Sequence, residues 1–285
     1  MTKFLGSKTT LPALILGAAV ALSACGAKTD APAAPDAATA APLSALEAAI
    51  AAPSRGDSAL RDDARNPQAT LEFFQITPDS NVLEISPGAG YYADILTAYL
   101  ATGTGSYMAT SYPETGERAE RRAAANAQFA EKYPTAISFE FGGEAKLPEG
   151  MADRVITFRN THSWMRGGTA EDAFAQFYGA LKPGGMLGVV QHRLPATAEQ
   201  DPRAPTGYVQ EAYVKSLASA AGFEFVGSSE LNANPKDTAD HPYGVWTLPP
   251  RLRGPGENDD ASGYDKTKYE AIGESDRMTL LFKKS

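Results

Sequence analysis

Val82-Leu83-Glu84-Ile85-Ser86-Pro87-Gly88-Ala89-Gly90-Tyr91-Tyr92 is a short apolar run that breaks into a proline and two glycines. It predicts a buried strand ending in a tight turn. Directly after it, Tyr92, Ile95, Leu96 and Tyr99 recur at i, i+3, i+4 and i+7, the apolar stripe of a helix. Strand, glycine turn and helix in this order leave unpaired N–H groups at the helix start, and the glycines let a ligand approach the main chain. The expected guest is nucleotide-like.

Downstream, strands and helices keep alternating. Gly105–Ala109 predicts a second strand and Glu117–Lys132 a long Ala- and Arg-rich helix, followed by strands over Ile137–Phe141 and Asp153–Phe158. Thr169–Leu181 predicts a helix with Thr169 and Asp172 as a capping pair and Phe174, Phe177, Tyr178 and Leu181 on one face. A fifth strand over Met186–Val190, a helix over Val209–Ala221 closed by Gly222, a sixth strand from Phe223 and a last one over Arg277–Lys283 complete the series. Upstream, Leu43–Ala52 and Thr70–Ile76 predict helices. Seven strands in this alternation predict an α/β, doubly wound, mostly parallel sheet.

Glu84, Gly88 and Gly90, in the pattern Glu-x-Ser-Pro-Gly-x-Gly, resemble motif I of the class I S-adenosylmethionine-dependent methyltransferases, with Ser86 where that family usually has its first Gly. Glu144-Ala145-Lys146-Leu147-Pro148 is similar to the family's acidic-Ala-x-x-Leu-Pro turn, and Leu181-Lys182-Pro183-Gly184-Gly185 to its connection into strand five. The resemblance spans about Thr70 to Lys284 and is to predicted bacterial methyltransferases of secreted or lipoprotein type. It implies a Rossmann-like methyltransferase fold whose seven-stranded sheet has an antiparallel last strand inserted between its neighbours.

The same resemblance implies that S-adenosylmethionine is the cofactor, held by Glu84, Ser86, Gly88, Gly90, Ser111, Glu144 and Asn160. Glu144 would accept from the adenine amino group. Thr110 or Ser111 stands by spacing where the family has an acidic ribose ligand; a neutral hydroxyl is the weaker partner, and Glu114 lies close enough to substitute. His162 and Trp164 would line the methyl-acceptor side. His162 and His192, at two strand ends, are candidate general bases. The polar, Pro- and Gly-rich stretch 232–274 carries Tyr243 and Trp246 and is expected to form part of the acceptor pocket or a lid. Arg55, Asp57, Arg61, Asp62, Asp63 and Arg65 crowd the segment before the first strand, as a solvated face or a local salt-bridge lattice, or as a segment folded back over the cofactor cleft.

At the N-terminus, Lys3 and Lys8 precede an apolar run from Leu11 to Leu22, too short for a membrane span and laid out as a secretory signal. Leu22-Ser23-Ala24-Cys25 resembles the lipobox of bacterial lipoproteins, which implies cleavage before Cys25 and a lipid anchor on its thiol. Gly26, not Asp, follows, which in such proteins favours the outer membrane, here facing the periplasm. The expected organisation is a signal peptide over 1–24, a flexible Ala-, Pro- and Thr-rich tether over 25–42, and a methyltransferase-like domain over 43–285, with 43–69 as its N-terminal helical segment.

Cys25 is the single cysteine, so no internal disulfide and no thiolate cluster can form. Loss of two lysines and no acid with the signal peptide moves the formal charge from −8 to −10, which argues against nucleic acid or anionic lipid as partners. No His, Asp and Glu spacing suggests a metal.

The primary functional expectation is methyl transfer to a small or envelope-associated acceptor. Because S-adenosylmethionine is a cytosolic metabolite, a secreted chain also admits a second reading: a methyltransferase fold without catalysis that binds another small ligand or scaffolds envelope partners. Nucleotide-dependent redox chemistry is disfavoured, since the turn lacks full Gly-x-Gly-x-x-Gly spacing.

Overall fold

The inner strands of the central sheet, such as Val82–Ile85 and Val155–Phe158, carry apolar residues toward both faces, which only a sheet covered by helices on both sides can bury. In the computed structural model, which describes residues 43–257 and 264–285, that is the arrangement found. The proposed signal peptide, Cys25 and the tether lie outside the described residues. The chain runs α1 (Ala45–Ile50), a 3-10 stretch (Pro53–Arg61), α2 (Asp62–Arg65), α3 (Pro67–Phe73), β1 (Asn81–Ile85), α4 (Tyr91–Leu100) and β2 (Ser106–Ser111). It continues through α5 (Ala119–Lys132), β3 (Ile137–Glu140), β4 (Ala152–Phe158), α6 (Thr161–Gly167), α7 (Ala170–Ala180) and β5 (Leu181–Leu194). The last elements are β6 (Val209–Gln210), α8 (Glu211–Ala220), β7 (Glu224–Ser229), α9 (Lys266–Ile272) and β8 (Arg277–Lys283).

The sheet order is β3-β2-β1-β4-β5-β8-β7, with β8 antiparallel between β5 and β7 and the other pairings along the path from β3 to β5 parallel. This is the expected Rossmann-like, doubly wound sheet with its antiparallel last strand. Alternation sends Leu83, Ile85 and Val155 into one core with Phe174, Phe177 and Leu217 of α7 and α8, and Val82, Ile156 and Leu281 into the other, with Leu96 of α4 and Leu71 of α3. The order reverses between β1 and β4, so a crevice opens at their carboxyl ends, where ligands of such sheets bind.

Three local readings are corrected. Thr169 precedes α7 but its hydroxyl bonds back to the Trp164 carbonyl at 3.5 Å, and Asp172 turns to Lys146 and Gln176, so no capping pair forms. Leu181 leaves the helix and pairs with Ala152, and Lys182–Gly185 bulge before the β4–β5 register resumes at Arg154 and Met186. Val209–Gln210 is not helical; it forms a short eighth strand on the far end of β5, because Arg193 and Leu194 extend beyond the main sheet to receive it.

Candidate functional site

The turn between β1 and α4 forms the floor of the site. Ser86, Gly88 and Gly90 all have left-handed backbones, at φ 51°, 61° and 84°. Ser86 holds this conformation without being glycine, and its N–H donates to the Thr110 hydroxyl at 2.7 Å, so the neutral end of β2 serves the turn itself. A Cβ on Gly88 would meet nothing within 4 Å, whereas one on Gly90 would lie 2.2 Å from the Tyr133 hydroxyl. Gly88 thus faces open space above the turn. Gly90 faces the protein, correcting its expected cofactor contact: it makes room for Tyr133, whose hydroxyl lies 3.1 Å from the Gly90 carbonyl and 2.7 Å from Asp94.

Above the turn lies a cleft of about 340 Å³ into which Gly88, Arg159, Asn160, His162, His192 and Trp246 open. Glu84 forms part of its wall but is only 2% exposed and accepts the Tyr107 hydroxyl at 2.6 Å. Burial pushes its carboxyl up to about 7, against the Tyr107 hydrogen bond and the pull of Arg159 and Arg65. Asn160 is fixed by donating to the Ile85 carbonyl at 3.0 Å and the Thr157 hydroxyl at 3.2 Å, which ties the ends of β1 and β4 together.

His162 and His192 stand with ring centroids 5.7 Å apart, and Trp246 is 5.8 Å from His162. Burial and the Arg166 charge lower His162 to about 4; burial and the neighbouring His162 take His192 well below the usual histidine range. Both rings are therefore neutral at pH 7. Gln191 gives one amide N–H to the Gly207 carbonyl at 2.9 Å, and the other points to His162 Nδ1 at 3.3 Å. That assignment makes Nδ1 the acceptor and leaves His162 an N–H donor through Nε2. His192 Nδ1 lies 2.6 Å from Ser275 Oγ; donating there would free its Nε2 to take a proton.

The charged segment before β1 folds against the cleft. Arg55 pairs with Asp62 through two 2.6 Å contacts, and Tyr91 at the start of α4 donates to the same carboxylate at 2.6 Å. Arg55 and Arg65 are each 3% exposed and paired with Asp62 and Glu274, a local salt-bridge lattice, while Asp57 and Asp63 stay exposed. Arg65 lies over the Tyr91 ring at 4.3 Å. The stretch between β7 and β8 brings Trp246 and Arg251 to the cleft. Tyr243 does not reach it; its ring lies under Arg253 at 4.9 Å.

A second cavity of about 470 Å³ shares Ser86, Tyr112 and Asn160 with the first and is walled by Phe141, Gly142, Gly143 and Trp164. Trp164 packs against Phe141 and Phe177, so it belongs to this cavity and not, as expected, to the His162 side. Ser111 opens instead on a third cavity of about 220 Å³ with Glu114, and its hydroxyl is 3.4 Å from the Phe139 carbonyl. Glu144 is exposed in the turn closed by the Gly142–Ala145 bridge and lines none of these three cavities; the carboxylate at the rim of the second is Asp172. The Ser111 cavity meets the main cleft at Pro87, Gly88 and Tyr112, so Glu84 and Ser111 flank the same turn while Glu144 stands apart from both.

Sequence reading missed Arg159 and Ser275. Arg159 is the first residue beyond β4, a position the crevice rule for open α/β sheets singles out; Ser275 sits in loop sequence with nothing to mark it.

No family model matches the chain, and no curated protein matches it. Solved structures do resemble it. A SAM-dependent methyltransferase of Aquifex aeolicus is 17% identical, covering 60% of this chain and 86% of that one, with a TM-score of 0.46. The cyclase SpnF is 16% identical, covering 78% and 80%, with a TM-score of 0.47. A TehB-like SAM-dependent methyltransferase of Corynebacterium glutamicum is 13% identical, covering 78% and 87%, with a TM-score of 0.43.

Proposed function

We propose that the chain transfers a methyl group from S-adenosylmethionine to a small acceptor bound between the glycine turn and the two histidines. The observation that carries this reading is the open face of Gly88 in the same cleft as His162 and His192. Residues suited to the cofactor are present at two of its ends. The bare turn at Gly88 and the Asn160 backbone suit the methionine end, and the slot between Tyr112, Phe141 and Trp164 suits a flat base. A carboxylate for the ribose is missing at Ser111 itself, and Glu114, on the same cavity, is the carboxylate available to that end. When bound, the cofactor supplies a methyl group on a sulfonium that leaves readily.

The protein's part is then to align the acceptor and manage its proton. His192, neutral and oriented by Ser275, is the base; His162 donates through Nε2 and steadies the charge that develops on the acceptor. Trp246 and the segment carrying Arg65 exclude water from above.

The exposure of Glu144 away from these cavities, with a neutral Ser111 at the end of β2, favours one competing reading, a methyltransferase fold that binds a different small ligand without catalysis. Calorimetric titration with S-adenosylhomocysteine separates the two. Saturable binding in the wild type, lost in Gly88→Arg with its fold intact by circular dichroism, is the expected result. No heat with a folded wild type would overturn methyl transfer in favour of the second reading.

A further inference from the structure

We propose that the acceptor is a small organic anion whose carboxylate or phosphate oxygens are held by Arg159 and Arg65, with Arg251 closing over it from the rim. This rests on the methyl-transfer reading and names its substrate class.

The chain carries a formal charge of −8, yet this cleft is basic. Arg61, Arg65, Arg159 and Arg251 line it against two carboxyl groups, Glu84 and Glu274. Glu84 is engaged with Tyr107 and is about half protonated at neutral pH, with its carboxyl near 7. Glu274 serves three guanidiniums at once: Arg61 at 2.5 Å, Arg277 at 3.1 Å and Arg65 at 3.5 Å. One carboxylate cannot satisfy three such forks. Arg65 shows the deficit, since it is 3% exposed and its Nη2 has no hydrogen-bond partner.

Arg159 has no ion pair and no side-chain hydrogen bond among the described residues, although it lines the cleft. Its backbone is left-handed at φ 64°, a costly conformation for a long side chain, and its N–H is tied to the Val190 carbonyl at 2.7 Å. Burial, with Arg65 and Arg277 close by, lowers its guanidinium to about 9 against the pull of Glu274. A buried cation with an unmatched donor, as at Arg65, beside a half-buried guanidinium without an ion pair, as at Arg159, is unfavourable until an anion arrives, and a carboxylate or phosphate fits the guanidinium fork. The stacked rings of Tyr92 and Phe158, centroids 3.7 Å apart, and Trp246 give the same cavity an apolar wall for an organic body.

The chain's two tryptophans allow a direct test, because Trp246 lines this cleft and Trp164 the neighbouring cavity. In Trp164→Phe protein, Trp246 fluorescence is titrated with benzoate, with inorganic phosphate and with benzamide, the uncharged analogue of benzoate. S-adenosylhomocysteine affinity is measured by calorimetry in protein that keeps Trp164, because that ring lines the slot suited to the cofactor's base. The expected result is saturable quenching by benzoate or phosphate, whichever class fits, and none by benzamide. Arg159→Gln should weaken the anion by about tenfold or more, Arg159→Lys should restore part of it, and S-adenosylhomocysteine affinity should stay within about twofold. Should Arg159→Gln fail to fold, Arg251→Gln at the exposed rim gives the same readout.

Benzamide binding as well as benzoate, or neither anion binding, would overturn the anion site. An equal loss of S-adenosylhomocysteine affinity in Arg159→Gln would also overturn it, by assigning the arginine to the cofactor's own carboxylate. Anion binding that depends on Arg159, in a protein that ignores S-adenosylhomocysteine, would keep the site and sink the methyl-transfer reading instead.

Discussion

Replacing Glu84 by Gln tests whether the carboxyl at the end of β1 is held neutral by its surroundings. The side chain is 2% exposed, and its one direct partner is the Tyr107 hydroxyl at 2.6 Å. Burial raises its pKa from 4.5 to about 7, which corresponds to a penalty on the order of 3 kcal/mol for carrying the charge in the folded state. The sign follows from proton counting. Below pH 4.5 the carboxyl is protonated whether the chain is folded or not, and nothing is lost. Between pH 4.5 and 7 the unfolded chain ionises while the folded one holds its proton, so stability falls as pH rises, and the loss is complete above pH 7. A glutamine amide is uncharged throughout and still offers an oxygen to Tyr107. Urea unfolding of both proteins from pH 4.5 to 8 should therefore show Glu84→Gln gaining about 3 kcal/mol on the wild type across that range. His162 and His192, lowered by burial, act with the opposite sign at the acid end, but both proteins carry them and the difference cancels their effect. A wild-type-to-mutant difference that stays level across the range would refute a buried neutral carboxyl and would mean that Arg159 and Arg65 keep Glu84 ionised.

The two glycines of the turn should separate in the same assay: Gly88→Ala meets only the strain of a left-handed backbone, about 1–2 kcal/mol, whereas Gly90→Ala adds a clash with the Tyr133 ring and should cost at least about 1 kcal/mol more. Equal losses would show that Tyr133 does not pack on the turn. For the N-terminus we propose lipid anchoring at Cys25 to the outer membrane; Cys25→Ala should move the chain from the membrane to the soluble fraction, and a mutant that stays membrane-bound would refute the anchor.

What was legible was whatever depends on local period and local turn chemistry. The strand, glycine turn and helix around Gly88 and the later strands follow from residues close together in sequence, whereas the antiparallel insertion of β8 is what the resemblance to the methyltransferases implies. Gly88 and Gly90 look alike there, two residues apart, and differ only because Tyr133, some forty residues on, packs on the second. Trp164 and His162 likewise share one short helix, yet its pitch turns them into different cavities, a distinction that i and i+2 spacing carries but that a list of candidate residues loses. The arginines are the deeper case. Net charge is an average over the chain, and an acidic average argued against anionic macromolecules. It says nothing of a crevice assembled from Arg65 before β1, Arg159 after β4 and Arg251 between β7 and β8, where the local balance is reversed. Segments this far apart are joined only by the sheet order that brings the ends of β1, β4 and β5 to one edge, with β8 starting beside them. In this fold, then, the chemistry of the ligand is set by topology acting on charges that sequence alone reads as surface.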